Sequence, residues 1–208
     1  LFPETESPLT VGKAVTVEYM KASGPVEAII NGAMSGVRMV VGIAALLLAF
    51  IGLINLADLG LSQLGKGLAY VTGLSLDLSF HTLLSYLFYP FTIAMGVPPQ
   101  DALAIAKVLG ERIIETEVKS YQDLAMLVKE GKIAYERSVV IATYALCGFA
   151  HIPSLAIFVG GTSSLVPERT KDIAGLGLWA LLAANVACLI TGAVAGLFYT
   201  GGSGAFLR

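Results

Sequence analysis

The feature that most constrains this chain is an apolar run that breaks in its middle. Residues 139–166 read VVIATYALCGFAHIPSLAIFVGGTSSLV. The run is long enough to cross a bilayer core of about 30 Å, but its centre is Gly148-Phe149-Ala150-His151-Ile152-Pro153-Ser154. Proline lacks an amide donor and clashes with the preceding turn, so a regular helix cannot pass through it undisturbed. Each half has about a dozen residues, roughly 16–18 Å at 1.5 Å per residue. Two half-length helices around such a break predict a re-entrant helical hairpin over about 138–166. Opened backbone at membrane depth survives only where protein or a water-filled cavity covers it, so the break predicts a binding site.

Other runs support a lipid solvent. Residues 39–56 (MVVGIAALLLAFIGLINL) form a spanning-length segment with Asn55 as its one polar residue, and 26–37 extend the helical pattern upstream. A long, tilted spanning helix over about 25–60 is expected, with Arg38 snorkelling to its boundary. The glycine-rich stretch 60–73 reads as a loop or interfacial turn. Residues 83–97 are apolar and aromatic but contain Pro90, which predicts an interfacial or broken segment. An interfacial and broken-helix region is therefore expected over about 74–127. Residues 173–199 complete the set as a last spanning helix over about 170–199, with Asn185 and Thr191 as candidate interhelical hydrogen-bonders.

Composition agrees: 56% of residues are hydrophobic and 13% charged, against roughly 45–50% and about 25% in soluble domains. The fold class is an all-α membrane protein. A net charge of −2 without a basic stripe excludes a nucleic-acid partner. Cys147 and Cys188 lie far apart in apolar runs, so neither a disulfide framework nor a metal site is indicated. The mostly polar opening, residues 1–7, is not a signal peptide and points to processing or to a longer parent. No nucleophile elbow or phosphate loop occurs. The loose GxGxxA match at Gly175-Leu176-Gly177-Leu178-Trp179-Ala180 lies inside an apolar run and reads as helix packing. No cofactor, catalytic residue or metal ligand is expected.

Two places carry polar chemistry. With 108–124 taken as one helix, Glu111, Glu115 and Lys119 share a polar stripe at i, i+4 spacing. Glu117 falls off it, among Gly110, Ile113, Ile114, Ser120, Tyr121 and Leu124. A carboxylate on such a face costs several kcal/mol unless partnered, which marks Glu117 for a polar ligand or for a merely solvated helix. The second place is the break, where His151 can donate and accept, Ser154 sits near the start of the second half-helix, and Phe149 is either core or stacking platform.

Ile141–Ala150 (IATYALCGFA), running on to Gly160-Gly161 and Val166-Pro167-Glu168-Arg169, is similar to the second re-entrant hairpin of concentrative nucleoside transporters. Phe2-Pro3-Glu4-Thr5-Glu6, AFIGLI at 49–54 and MGVP at 95–98 resemble further motifs of that family. The resemblance covers the family's carboxy-terminal half. It implies that Glu117 corresponds to the family carboxylate that binds ribose hydroxyls, Phe149 to its tip aromatic and Ser154 to its last tip serine. Thr116 stands where the family has Asn, His151 replaces the tip Asn, and Pro153 replaces the first tip serine.

These readings imply membrane transport of nucleosides or similar small polar molecules, coupled to sodium or protons, in the cytoplasmic (inner) membrane of a prokaryote. A second chain would carry the missing amino-terminal half, and the family implies a homotrimer in the lipid bilayer. Two alternatives stay open: a non-transporting gate-like or assembly subunit, and a membrane enzyme using Glu117 and His151 as acid and base. The expected ligand contacts are Glu117, Thr116, Phe149, His151 and Ser154.

Overall fold

A computed structural model describes residues 12, 22–72 and 78–201, so the motif at residues 2–6 lies outside the described residues. The described chain is helical, without strands: α1 (Pro25–Thr72), α2 (Phe80–Ala94), α3 (Pro99–Ile114), α4 (Glu117–Lys129), α5 (Glu136–Leu146), α6 (Ile152–Leu165), a 3-10 turn (Pro167–Arg169) and α7 (Thr170–Phe198). The expected all-α class, with spanning helices, a broken helix and a helical hairpin, is observed. Two helices have the length and apolarity to cross a bilayer, over Pro25–Tyr70 and Pro167–Phe198.

α1 is longer than the sequence suggested. Its 48 residues run through Gly60 and Gly67, where a loop was expected. An isolated interior glycine costs a helix only about 1 kcal/mol, and the stretch contains no proline. α2 likewise continues through Pro90 instead of breaking there. It starts on a Ser79 cap whose hydroxyl accepts the Thr82 amide at 3.2 Å. The chain then turns at Gly96, whose φ of +86° suits glycine, and Pro99 opens α3 at a position where its missing amide costs nothing.

The main correction concerns which segment reverses direction. The two arms around the Gly/Pro break do not fold back on each other; they run end to end along α7. Tyr199, just past the end of α7, donates its hydroxyl to Glu136 at the start of α5 (2.8 Å). A Cβ on Gly196 would lie 2.7 Å from Ile141, and one on Gly192 would lie 2.8 Å from Ala145. Asn185 contacts the break at Ala150, and a Cβ on Gly177 would lie 2.8 Å from Leu155 of α6. The α5–α6 path thus descends α7 from its C-terminal end to its N-terminal half. Eleven and fourteen residues give about 16 and 21 Å at 1.5 Å per residue, so the pair can cross a bilayer antiparallel to α7.

The hairpin is instead α3–α4. Asp101, in the first turn of α3, is buried and accepts from the Ala134 amide (2.8 Å), the Tyr135 amide (3.0 Å) and the Ser138 hydroxyl (2.6 Å). These three donors lie beyond α4, so the chain leaves the pair at the end where it entered. Leu127 of α4 and Leu103 of α3 line one groove, as antiparallel arms require. The sequence marked the Gly/Pro site as the reversal because half-length arms look the same whether they double back or continue.

The core lies where these two devices meet. Phe88 of α2, Ile105, Ala106 and Leu109 of α3, Leu124 of α4, and Ile141, Ala142, Ala145 and Leu146 of α5 form one buried cluster. Gly110 brings α3 so close to α2 that a Cβ would lie 2.9 Å from the Leu84 backbone. α1 stays outside this core. It crosses α6 where Gly160 and Gly161 meet Gly42, Ile43 and Leu46, and presents exposed apolar side chains such as Val40, Val41 and Leu48, as a lipid-facing helix does.

Candidate functional site

The tip of the hairpin and the break in the crossing helix come together. At the tip, Glu115 and Thr116 are extended (ψ of −165° and 157°), and α4 restarts at Glu117. Residues 108–124 are therefore two helices, not one. The expected neighbours of Glu117 on its own side, Ser120, Tyr121 and Leu124, lie on α4; those before the tip belong to the other arm. The Glu115–Lys119 pair survives the bend at 3.8 Å. As the first residue of α4, Glu117 faces the positive end of that helix, which favours a carboxylate.

At the break every functional group has a role in local structure. His151 is the N-cap of α6: its Nδ1 accepts the Ser154 amide at 2.9 Å. The Ser154 hydroxyl accepts the His151 amide at 3.2 Å and lies 2.6 Å from the His151 carbonyl oxygen and 3.1 Å from that of Phe149. Pro153 occupies the second position of the helix, within the first turn where a missing amide is harmless. The freed carbonyls are taken by side chains from elsewhere. Tyr121 donates to Thr143 O (2.8 Å), Arg112 Nη1 to Ala145 O (2.5 Å) and Asn185 Nδ2 to Ala150 O (3.0 Å). A break at membrane depth needs such partners for its opened backbone.

His151 and Glu117 join the two devices: Nε2 lies 2.5 Å from Glu117 Oε2. The geometry fixes the proton. Because Nδ1 accepts an amide, it carries no hydrogen, so Nε2 is the donor and the imidazole is neutral. The ring is 2% exposed and the Glu117 side chain 21%. Thr116 and Phe149 sit beside them on the open side; Phe149 is 59% exposed, with its ring 5.8 Å from that of His151. Glu117, His151 and Phe149 thus meet at one partly exposed junction, with Thr116 next to Glu117 along the chain. Ser154 lies behind it, buried, with its hydroxyl engaged in the fold of the break.

Two contributors to the site have roles that the sequence did not mark. Arg112 is fully buried, and its Nη2 donates to Asn185 Oδ1 at 2.6 Å. Its signal was periodic: Ile105, Val108, Leu109 and Arg112 share a helical face, and the first three are core. Tyr121, expected only as a neighbour of Glu117, is the other, through its bond to the Thr143 carbonyl; Asp101, also unmarked in the sequence, holds the base of the hairpin and not its tip. Asn185 acts as the interhelical bonder expected, whereas Thr191 bonds only Ala187 of its own helix. Cys188 packs against Gly148, where no Cβ would fit, and Cys147 is exposed. Within the GxGxxA match, Gly177 does serve helix packing.

A short-armed hairpin whose tip meets a broken crossing helix, with a carboxylate at the junction, defines a class of membrane transporters that hold solutes at helix breaks. The family model described as "Na+ dependent nucleoside transporter C-terminus" matches residues 1–196. The chain belongs to that family, integral membrane transporters and not enzymes. It is 37% identical over 209 residues to solute carrier family 28 member 3 of Mus musculus, covering 94% of this chain and 29% of that protein. It is 33% identical over 199 residues to the uncharacterized transporter YutK of Bacillus subtilis, covering 95% of this chain and 47% of that one. A solved structure of a CNTnw variant in an outward-facing state matches with a TM-score of 0.81 at 30% identity, over 97% of this chain and 46% of that chain. The chain therefore spans less than half of each of these proteins. Relatives occur in bacteria and in animals alike.

Proposed function

We propose that this chain supplies the substrate-binding half of an ion-coupled transporter for nucleosides or similar small polar molecules. Glu117 is the ligand carboxylate, Thr116 and Phe149 flank it, and His151 faces it from the break, while Ser154 acts by shaping the break. The observation that carries this reading is the Glu117–His151 contact of 2.5 Å at an open face. The donor–acceptor pair is joined there, and a sugar hydroxyl pair could take the place of the imidazole N–H. Phe149 offers an apolar surface next to it, exposed as a half-built site would leave it.

An amino-terminal half, on the same polypeptide or a second chain, closes the opening. Sodium is the coupling ion that the family description names, and a homotrimer in the inner membrane of a prokaryote completes the proposal. Glu117→Gln tests the carboxylate. It keeps the shape but removes a charge-assisted bond, typically about 1.5–3 kcal/mol, so uridine affinity of the intact transporter should fall roughly 10- to 100-fold. Parental affinity in well-folded protein would make Glu117 structural.

A further inference from the structure

Arg112 is a cation in the protein interior with no carboxylate in ion-pair reach among the described residues. An apolar side chain of similar volume would often be as stable or more so in such a place, so packing does not account for it. What it touches does. Nη1 meets the carbonyl of Ala145 in the last turn of α5, one of the carbonyls a helix end leaves unpaired, at the negative end of the helix dipole. Nη2 meets Asn185 Oδ1 on α7. That contact orients the amide, so that Asn185 Nδ2 points at Ala150 O (3.0 Å) and Leu181 O (2.9 Å).

One guanidinium and one amide therefore hold the break at two points, Ala145 just before it and Ala150 near its far end, and link it to α3 and α7. Arg112 sits in the last turn of α3, just before the tip that presents Glu117; Ala150 is the residue before His151. The Glu117–His151 contact is thus closed at both ends by the same chain of bonds.

We infer that Arg112 and Asn185 are positioning residues that keep the hairpin tip in register with the helix break, and so set the spacing between Glu117 and His151. The inference rests on the substrate site proposed above, but its geometry can be measured without a ligand. Asn185→Asp is the decisive variant. It is nearly isosteric and keeps an oxygen on Arg112, which favours folding. In place of the amide nitrogen it puts a second carboxylate oxygen against the Ala150 and Leu181 carbonyls, which repels the break. Arg112→Lys is the companion: it keeps the charge, but one ammonium cannot reproduce the planar two-headed fork.

The experiment uses the intact transporter in liposomes with Cys147→Ser. Spin labels go on Met126→Cys of α4 and Phe158→Cys of α6, both exposed positions. The parent should give one narrow distance distribution. Asn185→Asp should broaden or shift it, Arg112→Lys less so, and uridine affinity should fall about tenfold or more with Asn185→Asp. Unchanged distributions in both variants would overturn the inference. A broadened distribution with parental uridine affinity would uphold the positioning role and instead remove the proposed substrate site, so the two failures are separable.

Discussion

The two interruptions near the centre of this protein differ in what they do to the chain. At 115–116 two extended residues reverse it, and the arms return to a common base pinned by Asp101. At 147–151 a longer break, flanked by glycine and proline, leaves the direction unchanged, and α5 and α6 continue along α7. The conspicuous break is the through-going one, and the inconspicuous one is the hairpin. Break chemistry reports that a helix stops; the direction in which it resumes is set by contacts far away in sequence.

The base of the hairpin gives the largest handle on this contrast. Asp101→Ala would strand the Ala134 and Tyr135 amides and the Ser138 hydroxyl, and buried donors left unpaired cost about 1–3 kcal/mol each. A loss of about 3–5 kcal/mol, read by thermal unfolding in detergent, is expected once partial rescue by relaxation is allowed for. A loss below about 1 kcal/mol would mean that the base is held by other contacts.

The through-going break has a smaller and more selective handle in His151. Protonation would place a hydrogen on Nδ1, facing the Ser154 amide, and would tighten the imidazolium onto Glu117; Arg112 and Glu117 are the charged groups facing this part of the break. Both changes oppose a ligand that needs Glu117 free. Uridine binding should therefore weaken, by up to about tenfold, as the pH is lowered toward 5. His151→Asn keeps a good N-cap and should flatten that profile. Identical profiles would reduce His151 to a cap alone.

The same contrast explains what could be read from the sequence. The apolar runs gave the class. Glu117 stood out by falling off a polar stripe, Phe149 and His151 by lying at the Gly/Pro break, and Thr116 through the family resemblance alone; the structure brings Glu117, His151 and Phe149 close together. Arg112 was hidden because a charged residue in a charge-rich stretch reads as solvated, and only its spacing from Ile105, Val108 and Leu109 marked it as buried. The extent of α1 was misread because isolated glycines at 60 and 67 weaken a helix without ending it. Chain direction at the breaks was not legible at all. It depends on where Gly177, Gly192 and Gly196 let α6 and α5 approach α7, and on which amides Asp101 reaches.

Side-specific cysteine labelling tests the exchange of roles most directly. In a Cys147→Ser background, single cysteines replace Gln100 at the start of the hairpin, Lys132 at its end and Glu168 beyond α6, all exposed. A membrane-impermeant maleimide should reach positions 100 and 132 from one side of sealed vesicles and position 168 only from the other. Labelling of 132 and 168 from the same side would return the re-entrant hairpin to 138–166 and contradict the architecture described.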